Sequence, residues 1–108
     1  MTHDLLMVND ANLNEAVLEN EKTVILAIGA EWCPDCRRAA PFFMQFAKTY
    51  ADKAVFGRAD SEQSPKVVEQ FAVEHIPTMV VVKNGKEVDR VVEVKSPAEL
   101  KDFIERNL

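Results

Sequence analysis

The residues of this chain best suited to chemistry lie in one pentapeptide, Trp32-Cys33-Pro34-Asp35-Cys36, which holds both of its cysteines and its single tryptophan. Thiol–disulfide exchange needs a thiolate that attacks and a second thiol near enough to resolve the mixed disulfide. Two cysteines with two residues between them meet that need across one helical turn. The run before the pair, Thr23-Val24-Ile25-Leu26-Ala27-Ile28, has strand length and is apolar, and Arg37 to Tyr50 has helical periodicity. The pair is therefore predicted where a buried strand hands over to a helix, a usual place for chemistry in α/β proteins.

Within the motif the residue types assign different roles. Pro34 suits the first helical position, where its missing N–H costs nothing. Cys33 then meets the positive end of the helix dipole and the unpaired first-turn N–H groups, so it is expected to be the exposed, attacking residue. Cys36, inside the first turn, is expected to be more buried, protonated at rest and resolving. Asp35 adds negative charge near both sulfurs and opposes ionisation of Cys33, which predicts a reductant rather than a strong oxidant. Trp32 is placed to shield the sulfur and touch a substrate, although a packing role also fits an aromatic there. Two other readings of the pair remain open: a structural disulfide, and a metal site. A zinc site takes about four ligands, and outside the pair the chain offers only His3 and His75, far apart in sequence. No metal or other cofactor is expected, and His75 reads as a surface loop residue.

Composition narrows the function class. The chain has 108 residues, enough for one domain (1–108) with its own core. Its net charge of −5, with Arg37 and Arg38 adjacent but isolated, lacks the clustered cations that nucleic acid requires. No run approaches the ~18 apolar residues of a membrane span. Met1 to Leu6 lacks the basic and apolar regions of a signal peptide. The expectation is a cytoplasmic monomer, in a compartment where a reactive pair is commoner than a static disulfide.

The surrounding elements follow from periodicity and punctuation. Leu5 to Val8 reads as an edge strand. Asp10 to Asn20 reads as a helix, with Asn12 and Glu15 in capping-box spacing. Thr23 to Ile28 reads as a central strand, and the helix after the motif is expected to bury Ala39, Phe42, Phe43, Phe46, Ala47 and Tyr50 and to kink at Pro41. Ala54 to Asp60 suits a strand, and Ser64-Pro65 opens a helix. Met79 to Val82 and Val88 to Val92 are strands joined by the hairpin signal Asn84-Gly85. Ser96-Pro97-Ala98-Glu99 starts the last helix with a cap, a proline and a capping-box glutamate. One α/β sheet with helices on both faces satisfies this order.

These residues closely resemble the thioredoxin family over essentially the whole chain. The resemblance rests on Ala30-Glu31-Trp32-Cys33-Pro34-Asp35-Cys36, Pro41, Asp60, Ile76-Pro77-Thr78 and Lys83-Asn84-Gly85. It implies the thioredoxin fold, a mixed five-stranded sheet flanked by four helices. It also implies a cis Pro77 facing the cysteines, with the backbone of Ile76 pairing to a bound substrate strand. Disulfide-containing proteins would be the substrates and a thioredoxin reductase-type flavoenzyme the electron source. The sequence departs from the family pattern in three respects. Ala27 replaces a usual buried aspartate, and Phe56 replaces the lysine that partners it. Glu93 replaces a glycine of the substrate-facing loop. Pro34-Asp35 replaces Gly-Pro inside the motif. Without the buried acid, Asp35 or water must relay the proton of Cys36, or resolution is slow. Glu93 and Glu74 near the groove would make it acidic and narrow the range of partners.

The leading function is reduction of protein disulfides through Cys33 and Cys36. One alternative is a glutaredoxin-like, glutathione-dependent reductase, opposed by Trp32, by the extra N-terminal strand and helix, and by the lack of a Gly-Gly pair after the hairpin. The other is a non-catalytic thioredoxin-fold adaptor.

Overall fold

Alternation of apolar side chains along the central strands gives the sheet two buried faces. The computed structural model describes residues 5–108; residues 1–4, including His3 and most of the segment tested for a signal peptide, lie outside them. The strands are β1 (Leu5–Met7), β2 (Val24–Gly29), β3 (Val55–Asp60), β4 (Thr78–Lys83) and β5 (Lys86–Val92). The helical segments are α1 (Asn14–Leu18), α2 (Pro34–Thr49), α3 (Pro65–Gln70) and α4 (Pro97–Glu105). The sheet order is β1-β3-β2-β4-β5; β1, β3 and β2 run parallel, and β4 and β5 pair antiparallel to their neighbours. This is the expected mixed five-stranded sheet with four helical segments.

Ile25, Phe56, Met79 and Val81 point to one face, where Phe43 and Ala47 of α2 and Leu100, Phe103 and Ile104 of α4 cover them. Val24, Leu26, Ile28, Val80 and Val82 point to the other, beneath Leu13 and Val17 near α1 and Val67 and Phe71 near α3. An uncharged β2 is required because both of its faces are dry. At its far end the β4–β5 hairpin turns through Asn84 (φ 53°) and Gly85 (φ 79°). A side chain on Gly85 would also meet the Leu18 carbonyl oxygen at 2.6 Å, so the turn seats directly on the end of α1.

Several expected details are corrected. The helix predicted over Asp10–Asn20 is a single wide turn, Asn14–Leu18, closed by Glu19 N–H donating to the Asn14 carbonyl at 2.7 Å. Asparagine side chains form the preceding loop instead. Asn9 Oδ1 accepts from the N–H groups of Ala11 and Asn12, and Asn12 Nδ2 donates to the Met7 carbonyl at 2.8 Å. Local side-chain bonds of this type compete with helix formation. Ser64 makes no side-chain cap for α3. Asp10, 56 residues earlier, caps it by accepting from Lys66 N–H at 2.9 Å. Phe42, expected to be buried, is 39% exposed. Helix α2 continues through Pro41 over all of its 16 residues. At the start of α4 the expected cap forms: Ser96 Oγ accepts from Glu99 N–H at 3.1 Å, and Glu99 Oε1 from Lys95 N–H at 2.6 Å.

Phe103 is 1% exposed at the centre of the α2–α4 face. Phe103→Ala is expected to cost about 3–5 kcal/mol through lost burial and a residual cavity. Urea unfolding measures it, and a loss below about 1 kcal/mol would contradict this account of the core.

Candidate active site

The turn from β2 into α2 brings the two cysteines to one end of the sheet. Cys33 is the N-cap residue, extended at φ −81° and ψ 118°, with Pro34 first in the helix. Its Sγ accepts the Cys36 N–H at 3.3 Å, taking one of the donors that a helix start leaves unpaired. The Cys33 carbonyl accepts from Arg37 N–H at 3.0 Å, which closes the first turn beneath it.

The loop before β4 stands opposite. The Ile76–Pro77 bond is cis, as the resemblance implied, and Cys33 Sγ lies 4.0 Å from the Ile76 carbonyl oxygen. The Pro77 carbonyl accepts from Glu93 N–H at 2.7 Å, so the chain after β5 braces this loop. Glu93 adopts φ 53°, the left-handed region that glycine enters freely and other residues at about 1–2 kcal/mol. Trp32 is 59% exposed beside the motif. Cys33 and the Ile76–Pro77 loop therefore meet at one face of the site, and Trp32 stands exposed next to Cys33 in the chain. His75 offers only its carbonyl here, accepting from Thr78 Oγ1 at 2.5 Å.

The expected burial of the two cysteines is reversed. Cys33 is 6% exposed, while Cys36 retains intermediate exposure. The Ile76–Pro77 loop covers Cys33, whereas Cys36 lines a cavity of about 590 Å³ that Pro77 also borders. Ala27, Gly29, Ala39 and Ala40 share this cavity, and their small size opens it. A side chain on Gly29 would meet Cys36 Sγ at 2.8 Å, so the sulfur packs directly on the strand backbone. Burial of that sulfur, with the adjacent Cys33 thiol as the next cause, pushes the Cys36 thiol up to about 11. Cys36 is thus protonated at rest, as the sequence predicts.

Two charged residues acquire partners or settings that spacing alone left unassigned. Asp35 forms an ion pair with the Arg38 guanidinium. Together they line a shallow pocket with Phe42, Val94 and Ser96, away from the cavity that holds Cys36. Asp35 thus lines a different pocket from Cys36, and Arg38 offsets its charge. The three-residue spacing along α2 was the available signal for the pair. Arg58 sits beside Ala27 in the β2–β3 register and lines the Cys36 cavity. The period of two along β3 was the signal, because it places Arg58 on the same face as Phe56. Phe56, at the position of the family's lysine, is 2% exposed and packs edge-on to Phe43. Among the described residues, no group of three or more His, Cys, Asp or Glu side chains could hold a metal ion. No described helix is long and apolar enough to cross a membrane.

Comparison with known proteins agrees with this geometry. The thioredoxin family model matches residues 4–106. The chain belongs to the thioredoxin family. It is 31% identical to thioredoxin 1 of Synechococcus elongatus over 101 residues, 94% of each chain. It is 32% identical to a thioredoxin of Chlorobaculum thiosulfatiphilum over 83 residues, 77% of each chain. Against thioredoxin H5 of Oryza sativa subsp. japonica it is 41% identical over 81 residues, 75% of this chain and 59% of that relative. The Cys33–Cys36 pair fits the family's two-cysteine motif, and the protein is a thiol–disulfide oxidoreductase of the protein-disulfide reductase type.

The raised Cys36 thiol has a direct signature. In reduced protein labelled with ¹³C-cysteine, the Cys36 Cβ resonance is expected to titrate near pH 11. A folded-state value above the unfolded one also means that this group's contribution to stability is lost as pH rises through about 9 to about 11. A Cys36 midpoint below pH 9 would contradict the assignment.

Proposed function

We propose that Cys33 attacks disulfides of protein substrates and that Cys36 resolves the resulting mixed disulfide. The observation that carries this assignment is the position of Cys33 Sγ, which accepts the Cys36 N–H at the helix start and faces the Ile76 carbonyl at 4.0 Å. A donor already aimed at the sulfur favours the negative charge needed for attack. In the first step Cys33 thiolate bonds to one substrate sulfur and the other leaves as a thiolate, which takes up a proton. In the second step Cys36 loses its proton and attacks the Cys33 sulfur. The substrate's remaining sulfur is released, leaving a Cys33–Cys36 disulfide and a substrate reduced by two electrons. A thioredoxin reductase-type flavoenzyme would return those electrons, with no resident cofactor in this chain. The corresponding setting is a reducing compartment such as the cytoplasm.

A substrate strand would lie between Trp32 and the Ile76–Pro77 backbone, where main-chain pairing gives affinity. Glu93 next to Pro77 supports a narrower range of partners, because a carboxylate there disfavours acidic segments. Resolution would run through water, since Ala27 supplies no acid to the cavity and Asp35 faces away from it. The exposed Trp32 and the Cys33–Ile76 geometry favour this reading over a glutathione-dependent enzyme or a non-catalytic adaptor.

Trapping tests the assignment and the range together. Cys36→Ser is expected to retain protein partners as mixed disulfides on Cys33, and Cys33→Ser is expected to retain none and to abolish insulin reduction. Adding Glu93→Gly to the Cys36→Ser trap is expected to widen the set of captured proteins, including acidic ones. Equal trapping by both cysteine variants would reverse the roles, and an unchanged set would remove Glu93 as the selector.

We further propose that Asp35 and Arg38 set the reduction potential as a balanced pair. Asp35→Asn leaves the cation uncompensated, which stabilises the thiolate form and is expected to raise the potential. Arg38→Gln does the reverse and is expected to lower it. Equilibration with glutathione measures both, and shifts of the same sign would reject the balance.

A further inference from the structure

The cavity beside Cys36 is larger than passage of a proton requires, and it has the composition of a ligand site. Its volume of about 590 Å³ falls within the range typical of small-molecule pockets. Phe43, Met44, Met79, Leu5 and Pro41 give it apolar walls. Its charged lining residues are Arg58, Arg37 and Glu31. Arg37 donates to the Glu31 backbone carbonyl at 3.0 Å, so these two occupy the rim near the motif. Arg58 lies deeper along β3 and is half-buried. Its backbone carbonyl accepts from Val8 N–H at 2.8 Å, but its guanidinium has no hydrogen-bond or ion-pair partner among the described residues.

The β2–β3 register explains that vacancy in charge terms. Arg58 is flanked by Ala27 on β2 and by Met7 on β1, whose side chains carry no oxygen acceptor or negative charge for it. A partly desolvated cation against apolar walls gains most from an anion that brings its own apolar body. We propose that this cavity binds a small monocarboxylate with an apolar body of roughly ten carbons. The carboxylate would pair with Arg58, away from the Glu31 carboxylate at the rim. The apolar body would lie against Phe43 and Met44 and cover the Cys36 sulfur, which lines the same space. The site borders the Ile76–Pro77 loop at Pro77, which also lines the cavity, but it stands on the cavity and Arg58 rather than on the assignment of redox roles.

The probe is 4-phenylbutyrate, soluble and monomeric, titrated into ¹⁵N-labelled reduced protein. Amide shifts are expected to centre on Gly29, Met44 and Arg58, with a dissociation constant below about 1 mM. 4-Phenylbutylamine, with the same body and opposite charge, is expected to bind at least tenfold more weakly. Arg58→Gln is expected to lose at least tenfold in affinity for the acid while its spectrum remains folded, and Arg58→Lys to recover part of it. In Cys33→Ser, saturating 4-phenylbutyrate is expected to slow alkylation of Cys36 by iodoacetamide at least fivefold. Equal binding of acid and amine, unchanged affinity in Arg58→Gln, shifts confined to Trp32 and Ile76, or unprotected Cys36 would each overturn the site. None of these results bears on whether Cys33 reduces insulin, so the two proposals fail separately.

Discussion

The hydrogen bond from the Cys36 N–H to Cys33 Sγ is the contact on which the rest of the site depends. It makes a sulfur, rather than an oxygen, the cap of the longest helix in the described structure. Capping and reactivity are then one property, since the donors that need a partner at a helix start also favour charge on the atom that supplies it. The sheet serves this contact. It holds α2 against Phe56 and Phe103 on one side and presents the Ile76–Pro77 loop 4.0 Å from the same sulfur on the other.

Small residues behind α2 give this family member its distinct character. Ala27 and Phe56 stand where the family resemblance implies an acid and its lysine, and both changes remove buried charge together, which avoids stranding one partner. Gly29 lets Cys36 pack on the strand, and the space left by these residues opens a cavity around the Cys36 thiol. Cys33 is covered by the Ile76–Pro77 loop, with Trp32 exposed beside it, while Cys36 looks into an apolar cavity that Pro77 also borders, with Arg58 as its deeper cation. Asp35 belongs to neither setting, being held by Arg38.

Much of the fold was legible because its signals are local. The Asn84-Gly85 turn, the Ser96 cap and the Pro34 helix start each depend on a few neighbouring residues, and each formed where spacing placed it. The misread elements share the opposite property. The Asp10–Asn20 helix gave way to asparagine side chains folding back on Met7 and Asn9. The cap of α3 came from Asp10 across 56 residues rather than from the adjacent Ser64. No periodicity encodes a choice between a near and a distant acceptor.

The sequence by itself determined the chemistry: the only two cysteines, their spacing and the strand-to-helix transition allow an exchange pair, and the wider pattern assigns the family and with it that reading. Tertiary structure decided which sulfur is covered, where Asp35 points and what surrounds Cys36. Those outcomes depend on the Ile76–Pro77 loop, 40 residues beyond the motif in the chain, and on the pairing of Ala27 with Arg58 across two strands. Burial and charge environment are sums over neighbours in space. A residue's type fixes what it can do there, and packing fixes what it meets.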